Sequence, residues 1–268
     1  MTQPTFGKEY GGSAPENYER YFVPHIAAPL AEDLLEIAAL RPGERVLDVA
    51  CGTGIVARMA RQRVGSGGAV AGLDANPGMV AVARSAASPG LAIDWYEASA
   101  EAIPLADGAF DVALCQLGLQ FITNKLGALR EIRRVLAPDG RLVLNVPGPT
   151  PPLFAVMADA LGTHIDPRAA TFVHIVFCLH DERELRELAD AAGLRVRGVR
   201  TRRTPLTLPP PEQFLWQYAY STPLAGRLAQ ASAERRAALE SEVVEKWRDF
   251  ATDEGLACEV NVTTVVAS

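Results

Sequence analysis

The 268-residue sequence predicts an α/β protein built on a doubly wound, mostly parallel sheet. Three observations predict it. Short apolar runs of β type alternate with helical stretches between residues 45 and 146. A glycine turn follows the first of those runs and opens the first of those helices. The composition, 49% hydrophobic and 22% charged, is that of a folded globular chain and not of a disordered one.

In chain order, residues 15–40 read as helix, broken or bent near Pro24 and Pro29. A short strand at 45–49 leads through the glycine turn into a helix at 55–63. A second strand at 69–74 is followed by a helix at 77–87, with proline in its first turn. A third strand covers 91–96 and a fourth 110–115. A helix at 124–136 then leads through the turn Pro138-Asp139-Gly140 into a fifth strand at 140–146. The run PGPTPP, 147–152, cannot continue a sheet and reads as a linker. Helices follow at 153–162 and 181–193, the second ending at Gly193. A long β segment at 194–208, helices up to about Asp253 and an alternating strand at 257–267 close the chain. The two late strands lack a parallel crossover between them, so they are expected to form an antiparallel pair at the sheet edge. Leu239, Val243, Trp247 and Phe250 share one face of a helix spanning 231–253, expected to pack on the domain.

The expected organisation is a single domain over 1–268. Its core is 41–148; segments 1–40, 149–193 and 209–255 form a helical lid, and 194–208 and 256–268 are the late strands. The net charge of −6 is spread along the chain without a dense basic cluster, so no nucleic-acid partner is expected. Cys51, Cys115, Cys178 and Cys258 are far apart and form no CxxC pair, which argues against disulfides and structural zinc. The first residues lack a signal-peptide pattern, and no apolar run approaches the roughly 20 residues that span a bilayer. A soluble, cytoplasmic protein with no membrane partner is therefore expected.

The stretch VLDVACGTG, 46–54, carries the functional signal. Gly52-Thr53-Gly54-Ile55-Val56-Ala57 satisfies the dinucleotide pattern G-x-G-x-x-[GA], and Asp74 ends the next strand. Taken alone, this points to a nicotinamide-dependent oxidoreductase. Asp48 argues against it: a carboxylate at the turn repels a pyrophosphate by about 1 kcal/mol at 4 Å in water, and severalfold more at protein dielectric. The same charge favours a ligand that brings positive charge, as S-adenosylmethionine does with its ammonium and sulfonium. Asp74 offers two oxygens to the ribose hydroxyls, and Ala75 and Met79 offer an apolar surface for adenine. Alternatively, Asp48 braces the turn and Asp74 caps the helix that begins at Pro77.

Four segments carry a resemblance: VLDVACGTG, GLDANPGMVAVAR (72–84), EASAEAIPLADGAFDVALCQLGLQF (97–121) and LREIRRVLAPDGRLVLNVPG (129–148). In order and spacing they resemble class I S-adenosylmethionine-dependent methyltransferases, most closely the ubiquinone/menaquinone-biosynthesis-like, methyltransferase type 11 branch, over roughly residues 40–148. The resemblance implies a Rossmann-like seven-stranded sheet with the last strand antiparallel, and S-adenosyl-L-methionine as cofactor with S-adenosyl-L-homocysteine as product. It implies that Asp48, Ala50, Gly52 and Gly54 surround the methionine moiety and that Asp74 holds the ribose. Ser99 and Ala100 fall at the adenine, although many members carry Asp or Asn where Ser99 stands, and Ser99 could equally cap a helix. Gln116 falls by the methionine amine, with Leu117 and Gln120 on the methyl-delivery side.

Residues expected to roof the pocket supply the remaining candidates. Tyr18, Tyr21, Phe22, Gln120, Phe154 and Trp216 are candidates for substrate binding. His25, Phe172, Phe177, Phe214, Tyr218 and Tyr220 lie in the same segments. His164, His174 and His180 are candidates for a general base, with a spacing that suits no HExxH-type metal site, and no metal is expected. The aromatic lid favours an apolar small-molecule acceptor of O, N or C type. The rival readings are the oxidoreductase and a non-catalytic, S-adenosylmethionine-binding regulatory protein. The lid helices could also pair between subunits as a homodimer.

Overall fold

The structure, a computed structural model, describes residues 11–268; the first ten residues of the expected lid segment lie outside the described residues. One mixed sheet organises the chain. Its strands are β1 (Arg45–Val49), β2 (Ala69–Asp74), β3 (Asp94–Glu97), β4 (Phe110–Gln116), β5 (Leu136–Pro147), β6 (Val196–Leu208), β7 (Ala251–Thr252) and β8 (Gly255–Ala267), in the spatial order β3-β2-β1-β4-β5-β8-β6. The five first strands run parallel, and β8 is antiparallel to both β5 and β6. The expected seven strands are all present. The two-residue β7, which folds back on β8, adds an eighth. The last strand is therefore antiparallel as expected, but β8 is internal and β6 forms the sheet edge.

Helices α3 (Ile55–Val64), α4 (Pro77–Ala86), α5 (Lys125–Val135) and α8 (Glu182–Ala191) connect the strands, while α2 (Ala28–Ala38) joins the face that α3 covers. The apolar runs of β1, β4 and β5 are buried on both faces, the signature of a sheet with helices on each side. Before α2, the short α1 (Ala14–Asn17) continues into a π-helix over Tyr18–Ala27. Pro24 lies inside it and has no N–H to give, and the wider i→i+5 turn, such as Ala28 N–H to Val23 C=O, absorbs the missing bond without ending the helix.

Three boundaries depart from the sequence expectation. The third strand begins at Asp94, which pairs with Ala71 of β2, because 88–91 closes a turn instead. The fifth strand begins at Leu136: buried Leu136 pairs with Phe110, and the Pro138-Asp139-Gly140 turn survives as a bulge before Arg141 rejoins opposite Val112. A helix unread in the sequence, α7 (Pro167–Val176), follows α6 (Pro152–His164). Asp166 caps it, accepting from Arg168 N–H at 2.6 Å and Ala169 N–H at 3.3 Å, and the Asp166-Pro167 pair was its start signal.

The lid stands on a ledge made by the sheet itself. β8 pairs with β5 only from Val262 onward, so Gly255–Asn261 and the matching half of β6 project past the parallel strands. Leu206, Leu208, Leu256, Cys258 and Val260 on this projection are buried against α6, α7, α9 (Pro211–Tyr220), α10 (Leu224–Gln230) and α11 (Ala233–Trp247). The stripe on α11 packs there as expected: Leu239, Val243 and Trp247 are fully buried and Phe250 half-buried.

A cleft at the strand switch point

In this sheet the strand order reverses between β1 and β4, and the connections leave those two strands in opposite directions. That geometry opens a crevice at their carboxyl ends. Asp48, Ala50, Gly52, Asp74, Ala75, Met79, Ser99, Ala100 and Gln116 all line it. Tyr18 reaches it from the π-helix, 3.9 Å from where a Cβ on Gly52 would stand, so its ring lies against the glycine turn.

Two carboxyl groups dominate the electrostatics. Asp48 is 1% exposed and accepts a hydrogen bond from the Ala57 N–H in the first turn of α3, at 3.0 Å. Burial pushes its carboxyl up to about 8, and the negative charge of Asp74 adds to the rise; the Ala57 bond and Arg58 pull the other way. Asp74 accepts from the N–H groups of Gly52, at 2.8 Å, and Asn76, at 2.9 Å. Its carboxyl is also raised, by burial, against those backbone bonds. Each buried group is thus costly to ionise on its own, and each is relieved by a cation placed beside it. A pyrophosphate would add like charge to both. Asp74 does not cap the next helix: that role belongs to Asn76, whose Oδ1 accepts from Met79 N–H at 3.0 Å.

Residues 47–144 match the family described as a methyltransferase domain. Over those residues the chain is similar to methyltransferase domains. The ubiquinone/menaquinone biosynthesis C-methyltransferase UbiE of Ectopseudomonas mendocina is 38% identical over 143 residues, 52% of this chain and 56% of that protein. The chain thus spans about half the length of the relatives it matches. The YcgJ protein of Bacillus subtilis shares the fold at a TM-score of 0.59 and 20% identity, over 88% of this chain and 96% of that one. The [4+2]-cyclase SpnF superposes at a TM-score of 0.56 with 25% identity, over 89% and 78% of the two chains.

Within this matched core, Gly54 departs from expectation. It does not line the cleft. It is left-handed (φ 83°) at the N-cap of α3, and a Cβ there would stand 2.3 Å from the Trp95 indole and 3.2 Å from the Ala83 Cβ. Its bareness serves the packing of Trp95 from β3, a contact with no local sequence signal. Ser99 lines the cleft yet also accepts from Glu101 N–H at 3.2 Å, closing a local turn. Leu117, Phe121 and Ile122 complete an apolar wall after β4; the loop path that brings Phe121 and Ile122 there is not written in their own residue types.

Most of the remaining candidate residues lie away from the cleft. None of the three histidines lines the cleft. His164 Nε2 meets Glu242 Oε2 at 2.6 Å and ties α6 to α11. His174 is exposed on the outer face of α7. His180 Nδ1 donates to the Phe177 carbonyl at 2.8 Å and packs against Gly148. Among the substrate candidates, only Tyr18 lines the cleft, with Phe22 stacked behind it at 4.4 Å. Tyr21 lies under the Arg20 guanidinium, 5.1 Å from its centroid. Phe154 is buried in the lid core among Phe177, Phe214 and Tyr218. Trp216 donates to Glu240 at 2.9 Å and stacks on Tyr220. Gln120, 4% exposed, donates to the Leu117 carbonyl at 2.9 Å behind the wall. The physical reason is shared: once the lid must build its own apolar core, its aromatic residues are consumed by packing. No group of three or more metal-ligating side chains occurs among the described residues. Nor is any of their helices long and apolar enough to cross a membrane.

Proposed function

We propose that this protein binds S-adenosylmethionine in the switch-point cleft and transfers its methyl group to an apolar small molecule. One observation carries the reading: two desolvated carboxyl groups, Asp48 and Asp74, flank the glycine turn within a single cleft. A cationic ligand neutralises that pair, whereas a dinucleotide pyrophosphate opposes it. When bound, S-adenosylmethionine supplies an already activated methyl group. Asp48 and the Gly52 backbone would hold its methionine end, Asp74 its ribose, and Ala75, Met79 and Ala100 its adenine.

The chain's own contribution is then alignment and exclusion of water. Tyr18, Leu117 and Phe121 form the apolar walls of the cleft. Gln116 donates its Nε2 to the Ala27 carbonyl at 2.9 Å, which leaves its Oε1 as a buried acceptor without a partner. An acceptor that is flat, apolar and equipped with one hydroxyl suits this lining, and the quinone-pathway C-methyltransferase named among the relatives favours a quinol-like ring. With no histidine in the cleft, the acceptor is one that carries nucleophilic character without an imidazole base.

Titration calorimetry with S-adenosylhomocysteine and with NADH, on wild type and Asp74→Ala, tests the cofactor reading. We expect uptake of the first compound alone, weakened about a hundredfold by the substitution on losing a bidentate, partly buried hydrogen-bonding group. Selective uptake of NADH sinks it. Transfer of labelled methyl to benzoquinols and naphthoquinols is the second readout, needed because a cyclase shares the fold.

A further inference from the structure

Both strands that meet at the switch point end in a left-handed residue, Ala50 after β1 (φ 55°) and Leu117 after β4 (φ 51°), and neither is glycine. Such backbone is unfavourable for L side chains and persists only where surroundings impose it. Both residues line the cleft. The residue after Leu117 faces Ala50: Gly118 has no side chain, and a Cβ there would stand 2.7 Å from that of Ala50.

Leu117 is gripped from two sides. Its N–H donates to the backbone carbonyl of Asn145, at 3.0 Å, and to Asn145 Oδ1, at 3.2 Å. Its C=O accepts from Gln120 Nε2 at 2.9 Å. Asn145 is 1% exposed and sits beside Gln116 in the β4–β5 register; Gln120 is 4% exposed. The amide orientations follow from these backbone partners, since only the nitrogen can donate and only the oxygen can accept. Each amide leaves its other polar atom, Gln120 Oε1 and Asn145 Nδ2, buried with no partner. An apolar side chain in either place would avoid that penalty, so the grip on Leu117 is what the amides provide.

We propose that Gln120 and Asn145 are positioning residues that pin Leu117 in its left-handed conformation and thereby set the Gln116–Gly118 wall of the ligand cleft. With the pin removed, Leu117 relaxes towards ordinary backbone and the wall turns with it. The probe rests on the proposed function, because S-adenosylhomocysteine is the ligand used.

Calorimetry with S-adenosylhomocysteine on wild type, Gln120→Ala, Leu117→Asn and the double variant forms a cycle. Asparagine tolerates left-handed backbone without help. Gln120→Ala is expected to weaken binding about tenfold beside Leu117, but less than about threefold in the Leu117→Asn background. Equal losses in both backgrounds overturn the pin. Should Gln120→Ala not fold, melting temperatures of Leu117→Asn and Leu117→Ala decide: the first is expected several degrees higher, and the reverse order removes the strain on which the inference stands. Wild-type protein that takes up no S-adenosylhomocysteine defeats the cofactor reading instead, while the two melting temperatures still judge the pin.

Discussion

At residue scale, Asp48 is the most consequential side chain, and its charge makes opposite demands on stability and binding. Its folded-state pKa, about 8, lies far above the roughly 3.9 of an unfolded aspartate. The folded protein therefore holds this proton more tightly. The resulting stabilisation is complete below about pH 4 and is lost as pH rises through 8. Asp48→Asn should thus leave stability nearly unchanged at pH 4 and raise it by several kcal/mol, up to about 5, at pH 8.5, as urea denaturation would measure. Binding should respond the other way. A cationic ligand requires the ionised carboxylate, so the affinity of the wild-type protein for S-adenosylmethionine should rise up to about tenfold per pH unit between 6 and 8, with proton release. In Asp48→Asn both the slope and the released proton should vanish. A pH-independent affinity in wild type would mean that Asp48 does not face the positive charge. The buried Cys51 thiol beside it is pushed up by burial, then by both carboxyl groups, and offers no thiolate to compete for that role.

The lid helices show how an element is committed by one residue. Trp247 ends α11 fully buried, donates Nε1–H to the Leu153 carbonyl at 2.9 Å, and lies 5.6 Å from the Phe214 ring. It joins α11 to α6 and α9 at once. Trp247→Ala should cost about 3–5 kcal/mol from the cavity and the stranded carbonyl, whereas Trp247→Phe should cost about 1–2 kcal/mol by losing mainly the bond and part of the ring. Chemical denaturation of both variants checks this. A loss below 1 kcal/mol for the alanine variant would show that α11 is not anchored there. By contrast the His164–Glu242 contact on the same pair of helices is half-exposed, and contacts of that kind contribute little.

For the whole molecule, we propose that the described residues fold as one domain. The long β6 and β8 strands belong to the parallel sheet at one end and to the lid core at the other. Heat should therefore melt lid and core together in a single calorimetric transition, which S-adenosylhomocysteine at a hundred times its dissociation constant should shift upward by about 2.7 kcal/mol, or several degrees. A lid transition resolved from that of the core would contradict this coupling.

Much of the core was legible because its signals are local. The apolar runs of β1 and β2, the glycine turn at Gly52 and the carboxyl groups at two strand ends each depend on a few adjacent residues, and they specify a carboxyl-lined crevice wherever such strands stand side by side. What the sequence left open is what long-range packing decides. His164 reads as a base until Glu242, 78 positions away, occupies its nitrogen. Gly54 reads as a ligand contact until Trp95 takes the space above it. Phe154 and Trp216 read as acceptor walls until the lid consumes them as core. Only the tertiary structure assigns such side chains, because a polar atom or a ring goes to whichever neighbour the fold brings within reach, and that neighbour is set by the whole chain.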